Sequence, residues 1–403
     1  MINESLKRDD YIVLNRMKKF CNDNGLGSIY LKEDGFSKIE EFYTKNDDHK
    51  KLVDEWIEKI LKEGQKYIYL RKISYENNIL KSELYWKDVI KKEFDKENME
   101  DTNKYRFSND LEINKITYTK DEYVEKVNIS MGLMVLEPII KPQFKTRKMV
   151  YPIFVDLDIK NDLLHIRIKS KSNIYKIKES NKNNEYNQNN LGDKINNDSI
   201  VKEVQKYLSK KFQFELETID KNQNTFYRAY YKVFDELTFT PEHIQKKIDS
   251  KKEGVKKLRD YIFEDLNLDI RYKEDAQRDL EIWLEKFISL SERDKRIFTN
   301  DRHGYPIKLI ATDKEDTKIE EVSGDRSPLQ SKGSFFDHKK IIKNEESCDG
   351  MTLAYKRKNT KYYGKSPFTV LFFYRKGNGV LRFQDYVEEE DINSVLSRII
   401  ESI

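Results

Sequence analysis

The chain has 403 residues, too many for one ordinary hydrophobic core, so two or three domains are expected. Charged residues make up 37% of it, yet aromatics reach 12%, with 25 Tyr and 21 Phe, which excludes an intrinsically disordered composition. The formal net charge of +4 excludes a polycation, so an argument for nucleic acid must rest on where the charge lies.

Two cysteines, Cys21 and Cys348, lie far apart without metal-ligand spacing. They build neither a disulfide framework nor a zinc knuckle and fit a reducing compartment. The N-terminal MINESLKRDDYIVL lacks the apolar core of a signal peptide. No apolar run approaches the roughly 18 residues of a membrane span. A cytoplasmic location is the expectation, and abundant Lys, Asn and Ile suggest an AT-rich, bacterial source.

Residues 1–178 read as an N-terminal α+β domain, helical to about residue 64 and β-rich beyond. A short helix is expected from Tyr11 to Cys21. After Asn46-Asp47-Asp48 a longer one carries Leu52, Val53, Trp56, Ile57, Ile60 and Leu61 at helical spacing and stops at Gly64. From Lys66 the texture is strand-like, as in KYIYLRKISY and EINKITYT, and Pro138, Pro142 and Pro152 argue against long helices. Residues 179–198, ESNKNNEYNQNNLGDKINND, read as an Asn-rich loop or linker.

Residues 199–300 read as a helical segment. Thr240-Pro241-Glu242 combines a cap, a first-turn proline and an acid at the dipole's positive end. A helix from about Glu274 to Arg296 carries a stripe, Leu280, Trp283, Leu284, Phe287 and Leu290, that reads as core. Residues 301–403 form a C-terminal α+β domain. PIKLIAT and TKIEEV make a hairpin, MTLAYKRK and FTVLFFYR follow, and Asn378-Gly379 suits a two-residue turn before VLRFQ. Ile392, Val395, Leu396, Ile399 and Ile403 share a face of the last helix. The fold class expected is mixed, multi-domain α+β: antiparallel sheets in the N-terminal half, and a C-terminal antiparallel sheet covered by a terminal helix.

The stretch YPIFVDLDIKNDLLHIRIK, Tyr151 to Lys169, sets Asp156 and Asp158 on one strand face with His165 seven residues on. A two-residue turn at Asn161-Asp162 would pair Asp158 with His165 and Asp156 with Arg167, apolar opposite apolar throughout. That charged ladder outweighs the chemical alternative, a metal-dependent nuclease with Asp156, Asp158 and His165 as catalytic residues. His303 and His338 share a region without metal-ligand spacing, and GDRSPLQSKGSF lacks the spacing of a phosphate-binding P-loop. No cofactor is called for.

The strongest signal is compositional. Met351 to Gln384 contains eight cations and no acid, interleaved with aromatics. Lys356, Arg357, Lys358, Lys361, Phe373, Arg375 and Arg382 are the residues expected to meet nucleic acid, cations on phosphates and rings on bases. A second basic region, Ile139 to Lys182, has 11 Lys and Arg against 4 Asp and Glu. The function expected is nucleic-acid binding, of DNA or RNA, by an accessory or sensing subunit of a phage-defence or mobile-element system. An assembly subunit docking on an acidic protein partner is the other reading.

Overall fold

The computed structural model describes residues 2, 6–7, 11–94, 107–139, 145–171, 173–177, 192–218, 225–313, 315–361 and 363–403. Among the described residues eleven helices and thirteen strands, every pairing antiparallel, give the mixed α+β class read from the sequence. The chain forms two compact units. Unit 1 comprises Met1–Thr218, Asn359–Gly364 and Lys376–Ile392; unit 2 comprises Ile219–Lys358, Lys365–Arg375 and Asn393–Ile403.

Unit 1 begins with α1 (Leu14–Asp23), α2 (Lys32–Tyr43) and α3 (Asp47–Lys62). Asn46 Oδ1 accepts a hydrogen bond from His49 N (2.8 Å), acids open α3 and Lys59 and Lys62 close it, as its dipole favours. Gly64 follows at φ +91°, a conformation that suits a residue without Cβ, and its N–H bonds to Val387 O (2.8 Å). The sheet strands, numbered along the chain, are β1 (Lys66–Ser74), β2 (Glu112–Lys120), β3 (Val124–Ile139), β4 (Lys145–Asp158), β5 (Leu163–Lys169), β6 (Ile174–Tyr175), β7 (Lys194–Ile195) and β8 (Glu215–Leu216), with β13 (Asn378–Phe383) from the returning segment. Their order is β13-β1-β5-β4-β3-β6-β7, with β2 on β3 and β8 on β1.

Both faces of this sheet are covered. Phe20, Ile39, Phe42, Val53, Ile57 and Ile60 of the first three helices pack with Val150 and Phe154 of β4. On the other face α5 (Asn197–Phe212) sets Asp198 where Tyr69 Oη donates to it (2.9 Å). Leu163 to Ile168 of β5 are consequently all buried. Sequence texture did not announce α4 (Glu83–Phe94): its buried residue is Trp86, so it carries no stripe. Ser82 Oγ nevertheless accepts from Tyr85 N (3.3 Å) in the first turn. Of the Asn-rich stretch, residues 179–191 lie outside the described residues; Asn196 and Ser199 form the capping box that opens α5.

Unit 2 contains α6 (Thr225–Leu237), α7 (Glu242–Asp249), α8 (Lys252–Asp265), α9 (Lys273–Ser291), β9 (Gly304–Thr312), β10 (Lys318–Val322), α10 (Phe335–Glu345), β11 (Gly350–Tyr355) and β12 (Phe368–Arg375). The residues of α11 (Glu389–Ser402) from Asn393 onward also belong to it. Its strand order is β10-β9-β11-β12. Phe226, Tyr230, Val233 and Phe234 of α6 are buried. Tyr230 meets Phe372 edge-on with centroids 5.8 Å apart and donates to Phe373 O (3.0 Å). Val395, Leu396 and Ile399 of α11 are buried, and Lys232 Nζ of α6 donates to Ser402 O (2.8 Å).

Two helix readings need correction. Thr240 does not cap α7; Pro241 holds the N-cap position, and Thr240 Oγ1 donates to Glu285 (2.7 Å). Most of the α9 stripe is not core: Trp283 is 56% exposed, Phe287 50% and Leu290 37%. The helix instead buries Glu285, matched by Lys339 Nζ at 2.6 Å, and turns Leu284 and Ile288 toward Ile244, Ile248 and Phe298. A buried ion pair thus takes the face that hydrophobic periodicity would not choose.

Candidate nucleic-acid interface

The Asp156–His165 region resolves into structure. A four-residue loop, Ile159 to Asp162, joins β4 to β5, so Asp156 lies opposite His165 and Asp158 opposite Leu163. The expected register is off by two residues, which keeps each side chain on its face but changes every partner. Asp158 causes the longer turn: its carboxylate accepts from Asn161 N (3.1 Å) and Nδ2 (2.9 Å). Asp156 pairs with Lys126 Nζ at 3.0 Å.

This polar face points inward. His165 is 3% exposed, and both its ring nitrogens are buried without a hydrogen-bond partner among the described residues. Burial pushes its pKa down to about 4 against the pull of Asp156 and Asp158. Arg167, also buried, donates to Lys62 O (3.4 Å). On the same face Lys66 donates to Leu61 O (2.6 Å), and burial, reinforced by Lys169 and Arg167, holds its pKa well below the ordinary lysine value. No group of three His, Cys, Asp or Glu among the described residues is placed to hold a metal ion.

Four cations of the second basic region pair with carboxylates that lie outside it in sequence. Arg147 and Lys171 share Glu137, Lys160 meets Glu125 and Lys176 meets Glu203, all within 3.0 Å. The loop from Gly324 to Phe335 supplies its own anion. Asp325 accepts from Ser323 Oγ, Ser327 Oγ and Ser327 N, bonds that hold its carboxyl far below the usual range.

The acid-free segment divides between the units. In unit 2 the face of the sheet follows from alternation. Phe372 and Tyr374 pack on Tyr230, Phe226 and Tyr227 of α6, so Leu371, Phe373 and Arg375 face away. Register carries that face across the sheet: Phe373 lies opposite Gly350, which lies opposite Ile310, and Thr352 opposite Lys308. Tyr305 shares it through Ala354, and Lys318, Glu320 and Val322 extend it along β10. Ala354 and Thr369 are buried, but Tyr305, Lys308, Ile310, Leu371 and Phe373 are half-buried, and Arg375, Lys318 and Val322 are exposed. Glu320 takes Lys308 (2.6 Å).

Beyond β11, Lys356 N donates to His303 O (2.8 Å), leaving Lys356 and Lys358 exposed at the strand end. Arg357 turns inward, its guanidinium 5.6 Å above the Phe368 ring. Sequence reading passed over Tyr305 and Lys308; the alternation in GYPIKLIAT was the available signal. Lys361 and Arg382 belong to unit 1. Lys361 is exposed, its N–H bonded to Asn359 Oδ1 (3.1 Å). Arg382 lies opposite Tyr67 with its guanidinium 5.3 Å over that ring.

The turn before β13 also falls elsewhere than expected. Lys376 and Gly377, at φ 50° and 83°, form it, and Asn378-Gly379 lie within the strand. The left-handed backbone at Gly377 is what favours glycine there, while the Arg71 guanidinium beside it is the movable end of a long side chain. A two-residue turn at Asn378-Gly379 would set Arg375 opposite Arg382; with Lys376 and Gly377 as the turn, that expected pairing lapses. Tyr362 lies outside the described residues.

No protein-family model, curated protein or solved structure matches this chain. Among the described residues no helix is long and apolar enough to cross a membrane.

Proposed function

We propose that this protein binds nucleic acid through unit 2, with single strands as the preferred form. One observation carries the reading: an antiparallel sheet packed on helices by one face turns Phe373, Tyr305, Arg375 and Lys318 to the other. Rings on an open sheet stack unpaired bases, and cations around them neutralise phosphates. Stacking is worth roughly 1–3 kcal/mol per base. Lys356 and Lys358 extend the positive surface past the strand end.

Fluorescence anisotropy with a single-stranded oligonucleotide and an abasic strand of the same length tests the stacking. Phe373→Ala with Tyr305→Ala should weaken the first at least tenfold, about 1.4 kcal/mol, and leave the second nearly unchanged. Equal loss on both strands, or none, would contradict base stacking on this face.

The half-exposed rings of Trp283 and Phe287, 4.7 Å apart on α9, favour a second reading as an assembly subunit. Glutamate at both positions would then abolish complex formation and leave oligonucleotide affinity intact. An unchanged assembly profile would count against it.

A further inference from the structure

At the strand end where Tyr355 lies opposite both Gly304 and Phe368, unit 2 holds polar groups that the interface does not use. Tyr355 is 2% exposed, and its buried Oη has no hydrogen-bond partner among the described residues. Arg398 of α11 and Glu236 of α6 both act on that hydroxyl electrostatically and are bonded to each other. Arg398 Nε is also buried without a hydrogen bond. Native structures rarely leave such buried groups unmet, because each forfeits its bond to water.

The surroundings are positive. His303 is exposed beside this pair, with Lys356 and Lys358 next to it. Partial burial lowers the His303 pKa, and Arg398, Lys358 and Lys356 lower it further against the pull of Glu236. Glu236 is itself half-exposed and is held by Arg398, whose side chain is 19% exposed.

We propose that this strand end is a phosphate-binding site. Arg398 and the Tyr355 hydroxyl are the groups that hold the phosphate oxygens, with Lys356, Lys358 and His303 at the rim. Arg398 exchanges Glu236 for the incoming phosphate, and that exchange is the rearrangement the site requires. A guanidinium suits such an exchange because its planar donors match phosphate and carboxylate alike. The phosphate can be a monoester terminus or a diester of a nucleic-acid backbone. The site stands independently of base stacking on the open sheet face.

Titration of the full chain with inorganic phosphate, followed by calorimetry, tests the site. The parent protein should bind saturably, and Arg398→Gln should weaken binding at least tenfold. Glu236→Gln should tighten it several-fold, since the competing carboxylate is gone. Tyr355→Phe should weaken it while melting no lower than the parent in phosphate-free buffer. No saturable binding up to about 10 mM, a concentration that would fill any site of millimolar affinity, would overturn the proposal. So would a Glu236→Gln chain that melts lower and binds phosphate no better, or a Tyr355→Phe chain of unchanged affinity.

Paired oligonucleotides with and without a 5′-phosphate separate the sources. A preference for the phosphorylated strand that Arg398→Gln removes marks a monoester site; equal binding weakened by Arg398→Gln marks a backbone diester. Phosphate binding without oligonucleotide binding would sink the nucleic-acid reading and leave this site standing. The converse would sink the site alone.

Discussion

Two hairpin regions of this protein carry charge on alternating positions, and they use it in opposite ways. In unit 1, β4 and β5 turn Asp156, His165 and Arg167 beneath helices, where each is buried or bonded to the fold. In unit 2, β11 and β12 turn apolar residues to α6 and leave Lys356, Lys358 and Arg375 exposed. Alternation gives the parity of a strand face but not what lies over that face. A second layer of helices converts a polar face from solvent ladder to interior network, and the cost of charge changes with it.

Substitution should separate the two regions cleanly: stability lost without binding in one, binding lost without stability in the other. The largest stability effect is expected at Arg16. Its guanidinium meets Glu63 at 2.7 Å and Glu388 at 2.7 Å, all three side chains nearly inaccessible. Burial works against the Arg16 charge, but the two carboxylates hold its pKa above the ordinary value. Arg16→Ala strands two buried carboxylates and should cost about 3–5 kcal/mol in denaturant unfolding. A cost under about 1 kcal/mol, the range of surface pairs, would mean that solvent reaches the cluster.

Asp158→Ala should cost about 1 kcal/mol, through the two bonds its carboxylate accepts from Asn161. An activity that needed Asp158 as a metal ligand would instead vanish in a folded variant, so urea midpoint and divalent-cation dependence together decide the role.

His165 sharpens the contrast through pH. Its folded pKa of about 4 lies below the ordinary value of 6.5, so the unfolded chain takes the proton first as pH falls. The stability it contributes is complete above about pH 6.5 and is lost between there and pH 4. His165→Leu removes that loss. With no hydrogen bond to forfeit, it should stay within about 1 kcal/mol of the parent at neutral pH. Melting curves at pH 7 and pH 5 read both; an equal fall in parent and variant would place the acid sensitivity elsewhere. The smallest effect is expected at the exposed α9 stripe, where Trp283→Glu should move unfolding by less than about 0.5 kcal/mol.

Much of this architecture was legible in the sequence, and the failures have physical causes. The third helix could be read because stripe, cap and stop agree over Asn46 to Gly64. The fourth could not, since Trp86 alone is buried on it. Both strands around Asp156 were legible, but their register turned on Asp158 bonding its own turn rather than a cross-strand partner. The basic segment from Met351 to Gln384 stood out because it lacks acids, whereas Arg398 and Tyr355 influence each other across 43 positions of chain. No local pattern records such a meeting. The α9 stripe misled because Glu285 and Lys339, an ion pair across 54 positions, occupy the buried face.

The central claim is that charge on the unit 2 surface is there for phosphate, and the salt dependence of oligonucleotide binding tests it most directly. With affinity measured between 50 and 200 mM salt, the parent should give a steep negative slope of log K against log salt. Lys356→Ala with Lys358→Ala should flatten that slope by about 0.7 per charge removed, with the urea midpoint unchanged. A slope identical in parent and variant, or no binding at the lowest salt, would contradict the account.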